Sequence, residues 1–225
     1  MSGGRPAIFI DRDGTISDEI GYVNHASRFR LFPWSVDAIR LVNRSGRLAV
    51  VVTNQAGVAR GYFPERVVHD VHARLLDTLA AGDARLDGLY YCPHHPQAGE
   101  APYRQDCDCR KPKPGLLRRA AAELDIDLSR SWVIGDRLGD LQVAWAVGAR
   151  AAMVRSGYGR GELENHAGSW SRPPDLVAEH LLEAVSRILA APILAMPAGQ
   201  SPAGRTGGLA GHSLPLAPQA PQGKK

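Results

Sequence analysis

The chain has 225 residues, 44% apolar and 22% charged, which suits one globular domain with room for a short appendage. It holds no apolar run long enough to span a bilayer, and its opening MSGGRPAIFI lacks the basic-then-apolar pattern of an export signal, so a cytoplasmic location and no membrane partner are expected. Of the formal net charge of +4, Arg205, Lys224 and Lys225 in the last 35 residues supply three charges with no acid beside them, which leaves a near-neutral body and argues against a nucleic-acid face.

The first apolar run, AIFI at 7–10, reads as a buried strand. It ends in Asp11-Arg12-Asp13-Gly14-Thr15. Two acids just past a buried strand cannot both enter the core, and Gly14 permits a tight turn; a solvated turn would explain the same residues. A helix is predicted over 34–44, opened by Pro33. The second strand, LAVVVT at 48–53, runs into Thr53-Asn54-Gln55, where a hydroxyl and an amide can bind an anion or cap a helix. A helix over 64–81 places Val67, Val68, Val71, Leu75, Leu76 and Leu79 on one face. The third strand, LDGLYY at 86–91, leads into a Cys- and His-bearing loop, followed by a helix over 115–124.

The fourth strand, WVIG at 132–135, ends in Asp136-Arg137-Leu138-Gly139-Asp140. Asp140 sits four residues after Asp136, inside the start of a helix predicted over 138–147, so the two acids can share one helical face. A fifth strand is predicted at 149–154 and a last helix at 174–190. Strands alternating with helices argue for a parallel sheet covered on both faces. In such sheets ligands gather at the carboxyl ends of the strands, where these acids fall. Residues 1–190 are taken as the domain. Residues 191–225 contain six Pro, six Gly and seven Ala, a composition that reads as a disordered tail.

All three cysteines fall in one loop, as Cys92-Pro93-His94 and Cys107-Asp108-Cys109. Three soft thiolates and an imidazole suit tetrahedral zinc, and four protein ligands leave no open position, so the expected zinc is structural. His94 has better spacing than His95. The loop is polar and Pro-rich, and metal would supply the free energy that folds it. Arg110 and Lys111 follow Cys109 directly, so folding the loop would aim them at an anion.

FIDRDGT, VVTNQ, RKPKPG and IGDRLGD, in that order, resemble the four motifs of the haloacid-dehalogenase-like phosphatases. The resemblance implies a Rossmann-like three-layer sandwich with strand order 3-2-1-4-5. It implies Asp11 as nucleophile and Asp13 as acid and then base. Mg2+ would be held by Asp11, the backbone carbonyl of Asp13, and Asp136, with Asp140 orienting that shell. Thr53, Asn54 and Lys111 would neutralise the phosphoryl oxygens. Only 16 residues separate Thr15 from Phe32, too few for a cap domain.

The segments GYV at 21–23, NQAGVARGYF at 54–63, YYCPHHP at 90–96 and CDCRKPKPG at 107–115 narrow the resemblance to the heptose-1,7-bisphosphate 7-phosphatases. The histidinol-phosphate phosphatases share the zinc loop and remain the alternative. The heptose resemblance implies a small phosphosugar substrate and a place in nucleotide-activated heptose synthesis, with lipopolysaccharide as one destination. Asp18, Glu19 and Tyr22 are candidates for the sugar, and Arg110 and Arg137, with Arg60 less firmly, for a second phosphate. A monomer is expected.

Overall fold

A computed structural model describes residues 3–190. The tail expected at 191–225 lies outside the described residues. The strands are β1 (Ala7–Ile10), β2 (Leu48–Asn54), β3 (Gly88–Cys92), β4 (Trp132–Gly135), β5 (Arg150–Val154) and β6 (Leu176–Ala178). They form one parallel sheet of order β3-β2-β1-β4-β5-β6. The helices are α1 (Ser35–Arg44), α2 (Glu65–Ala81), α3 (Gly115–Leu124), α4 (Leu138–Ala146), α5 (Gly159–His166) and α6 (Leu181–Ala190).

Successive residues of β1 face opposite layers, as the two-residue period of a strand requires. Ile8 and Ile10 pack with α1, α2 and α6 through Ile39, Leu75 and Val185. Ala7 and Phe9 pack with α3 and α4 through Leu117 and Leu141. All four residues of β1 are fully buried, which is why parallel strands read as continuous apolar runs. The central strand pairs Ile10 with Val51 on one side and with Ile134 on the other. That register sets the ends of β1, β2 and β4 side by side.

The five expected strands hold the expected order, and the sheet gains a sixth. The helix predicted over 174–190 begins instead at Leu181. Pro173 and Pro174 bias the preceding chain toward extended backbone. Asp175 then clamps the segment to β5: its N–H donates to Ala151 O at 2.9 Å, and its Oδ2 accepts from Ala151 N at 2.8 Å. Helix α5 was not foreseen. Between β1 and α1 the chain carries only a three-residue 3-10 turn, Ala26–Arg28.

Candidate active site and metal-binding loop

The ends of β1, β2 and β4 and the loop before α3 enclose a cavity of about 410 Å³. Asp11, Asp13, Thr53, Asn54, Lys111, Glu19, Tyr22, Arg110 and Arg137 all line it. Asp18 does not; it lines an adjoining cleft with Ile20 and Phe32. Arg60 lies against His95 instead, 3.0 Å from its Nε2.

Lys111 sits at the centre of the charge. Its Nζ is 2.8 Å from Asp11 Oδ1, 2.6 Å from Asp140 Oδ1 and 2.9 Å from Val52 O. Burial opposes its charge, and the carboxylates of Asp11 and Asp140 more than offset that, so its pKa is raised. Asn54 fixes the lysine backbone: its Oδ1 accepts from Lys111 N at 3.0 Å and its Nδ2 donates to Lys111 O at 3.1 Å. Anchoring Lys111 is a role the sequence did not disclose for Asn54.

Lys111 is not enough cation for its surroundings. Carboxylate oxygens of Asp11, Asp136 and Asp140 converge within 4.8 Å of one another. Burial, joined by the charge of Asp140 and opposed by Lys111, pushes Asp11 up to about 7. Burial, then Asp11 and Asp140, also raises Asp136 well above the usual carboxylate range. Asp136 Oδ2 accepts from Tyr158 N at 2.8 Å, whereas its buried Oδ1 has no hydrogen-bond partner. An orphaned oxygen among crowded acids fits a hard divalent cation. Gly14 makes room here: it has φ +80, and a Cβ on it would stand 2.1 Å from Asp136 Oδ2.

Asp13 turns elsewhere. Arg12, only 1% exposed, grips its carboxylate with two N–H groups, at 3.1 and 2.8 Å. Gln55 Nε2 lies 2.9 Å from Asp13 Oδ2 and 2.9 Å from Thr53 Oγ1. The side chain of Asp13 is therefore outside the converging carboxylates, and its expected contribution to the cation rests on its backbone carbonyl. Arg12 and Gln55 both stand inside the quoted motifs, but their residue types alone do not disclose this contact with Asp13.

The Cys/His loop starts at the buried end of β3. Cys92 Sγ lies 3.5 Å from Cys107 Sγ and 3.7 Å from His94 Nδ1; Cys109 Sγ lies 3.2 Å from Cys107 Sγ and 3.3 Å from His94 Nδ1. A tetrahedron with zinc–sulfur bonds of about 2.3 Å has sulfur–sulfur edges of about 3.8 Å. The observed sulfur–sulfur separations are somewhat shorter than that edge, and all four donors lie within 4.8 Å of one another, a cluster that could close on one tetrahedral metal ion. The Cys92 thiol is pushed up by its hydrogen bond to Cys109 and by burial, while Cys109 is pushed down to about 5 chiefly by that bond from Cys92. His95 stands apart, its Nδ1 accepting from the N–H groups of Gln97 and Ala98 at 3.1 and 2.9 Å. Arg110 donates to His94 O at 3.4 Å, so the loop also steadies the guanidinium beside Lys111.

The parallel sheet with acids at the ends of β1 and β4 defines a haloacid-dehalogenase-like hydrolase, and the HAD-hydrolase-like family matches residues 108–184. The chain is 44% identical over 172 residues to the D-glycero-beta-D-manno-heptose-1,7-bisphosphate 7-phosphatase of Escherichia coli K12, covering 76% of this chain and 90% of that one. It is 44% identical over 154 residues to the enzyme of the same name from Haemophilus influenzae, covering 67% and 82%. The fold matches the D,D-heptose 1,7-bisphosphate phosphatase of B. bronchiseptica, solved with magnesium and phosphate, at a TM-score of 0.72 and 31% identity over 82% of this chain and 98% of that one. The chain belongs to the family of these heptose-bisphosphate phosphatases.

Proposed function

We propose that the protein removes the 7-phosphate from D-glycero-D-manno-heptose 1,7-bisphosphate and leaves heptose 1-phosphate. The observation that carries the reading is the Asp11 carboxylate at the cavity wall. Its Oδ1 is committed to Lys111 at 2.8 Å and to Arg12 N at 2.7 Å, which leaves Oδ2 to attack phosphorus and form an aspartyl-phosphate. Asp13 donates its proton to the departing C7 oxygen, then takes one from the water that hydrolyses the acyl phosphate. The Arg12 and Gln55 contacts hold Asp13 for both transfers. Lys111, with Thr53 and Asn54 beside it, neutralises the phosphoryl oxygens.

Asp11, Asp136 and the backbone carbonyl of Asp13 would hold Mg2+, with Asp140 supporting the shell; the ion supplies positive charge to the transferring phosphoryl group. Cys92, His94, Cys107 and Cys109 would hold Zn2+ as a structural staple. Glu19 and Tyr22, with Asp18 at the edge, meet the sugar. Arg110 and Arg137 take the second phosphate. An imidazole-bearing substrate such as histidinol phosphate would leave those guanidinium groups without an anion, and the names of the relatives also favour the heptose. Among the described residues no helix is long and apolar enough to cross a membrane. The reading is completed by a monomeric cytoplasmic enzyme whose working domain is residues 1–190.

Phosphorus NMR of the product tests the reading. Loss of the C7 signal with the anomeric phosphate retained is expected. Release of the anomeric phosphate, or no turnover of the bisphosphate, would overturn it.

A further inference from the structure

The turn after β5, Arg155-Ser156-Gly157-Tyr158, belongs to none of the motifs that mark the reaction centre. Three contacts nevertheless fasten it there. Ser156 Oγ donates to Gly14 O at 2.7 Å, and Tyr158 N donates to Asp136 Oδ2 at 2.8 Å. Gly157, with φ +58, packs so closely that an added Cβ would lie 2.5 Å from Gly14 Cα.

Tyr158 is therefore held at its backbone while the residue stays 43% exposed. The Arg137 guanidinium lies over that ring, 3.7 Å from the centroid. The backbone of Arg137 is fixed as well, its N–H donating to Asp140 Oδ2 at 3.2 Å. Arg137 makes no ion pair among the described residues, and both members of the stack line the cavity. A stacked guanidinium gives one face to the ring and keeps its in-plane N–H donors free for an oxyanion. Stacking also restricts a rotamer-rich side chain before ligand arrives, which lowers the ordering cost of binding.

We propose that Tyr158 is a positioning residue that presents Arg137 to the non-reacting phosphate, so that the stacked pair sets the preference for a bisphosphate over a monophosphate. The proposal rests on the bisphosphate reading above. It assigns to the β5–α5 turn a part in specificity, while the bond-breaking groups lie just past β1 and β4 and in the loop before α3.

The test compares heptose 1,7-bisphosphate with heptose 7-phosphate, which has the same leaving oxygen and lacks the anomeric phosphate. Tyr158→Leu should raise KM for the bisphosphate roughly three- to tenfold with kcat within about twofold, and should change KM for the monophosphate little. Tyr158→Phe keeps the ring face and should restore the KM. In an Arg137→Leu background, Tyr158→Leu should add less than about twofold, because the partner is already gone. An unchanged bisphosphate KM in Tyr158→Leu would overturn the proposal. So would equal losses on both substrates, or a Tyr158→Phe variant as impaired as Tyr158→Leu. A wild-type enzyme with no preference for the bisphosphate would overturn the underlying reading together with the proposal, a result distinct from the others.

Discussion

Lys111→Met keeps most of the aliphatic stem and deletes the charge. The lysine is 7% exposed and bridges Asp11 and Asp140 at 2.8 and 2.6 Å. Removing it leaves three carboxylates converging within 4.8 Å with no internal cation, the situation in which breaking a buried pair costs about 3–5 kcal/mol. For a chain of this size each kcal/mol shifts Tm by about 2–4 °C, so a fall of roughly 6–20 °C is expected in buffer without magnesium. Differential scanning calorimetry measures it. The double variant Lys111→Met/Asp140→Asn should recover part of the loss, because one orphaned charge goes with the lysine; an interaction of about 0.5–3 kcal/mol is expected for such neighbours. Turnover should fall by about a hundredfold or more, the usual consequence of losing one preorganised charge at a transferring group. A Tm within about 1 °C of wild type would refute the view that Lys111 neutralises the cluster. So would a double variant whose losses simply add.

Cys107→Ser should lose the bound equivalent of zinc, measured by atomic emission, and should lower Tm and activity together; a zinc-free variant with full activity would refute a structural role for the metal. The raised pKa values of Asp11, to about 7, and of Asp136 give a pH test. The folded, metal-free state keeps protons that the unfolded chain has already released, so these groups favour folding at low pH and that contribution is lost as pH rises toward 7. Magnesium should therefore raise Tm more at about pH 7.5 than at about pH 5, and equal gains would contradict the convergence of acids. Deleting residues 195–225 should leave kcat and KM within about twofold; a larger loss would give the tail a catalytic part.

Buried parallel strands were legible because they are apolar on both faces, so AIFI and LAVVVT stand out in any window. Strand β6 was not, since three residues carry no period and Leu176 and Val177 continue the apolar spacing of α6. The acids of β1 and β4 could be read as a site because their positions just beyond buried strands leave them few other tasks. Arg12 escaped notice because a charged residue between two acids looks solvated, and only packing shows it buried against Asp13. Tyr158 and Gly157 had no signal in the sequence: their contacts with Asp136 and Gly14 exist only once β4 and β5 lie side by side. The Cys/His set was legible by residue type and clustering, while the choice of His94 over His95 rested on spacing. The geometry adds a physical reason, because the His95 Nδ1 is occupied by its own loop backbone.

Hydrolysis of a sugar bisphosphate through Asp11 is what the fold and the cavity together imply. The most direct measurement is magnesium-dependent phosphate release from both anomers of heptose 1,7-bisphosphate, with histidinol phosphate beside them, for wild type and for Asp11→Asn. A kcat/KM for one bisphosphate anomer about 100-fold above that for histidinol phosphate, a discrimination of about 2.7 kcal/mol, and no turnover in a folded Asp11→Asn are expected. Preference for histidinol phosphate, or an active Asp11→Asn, would contradict it.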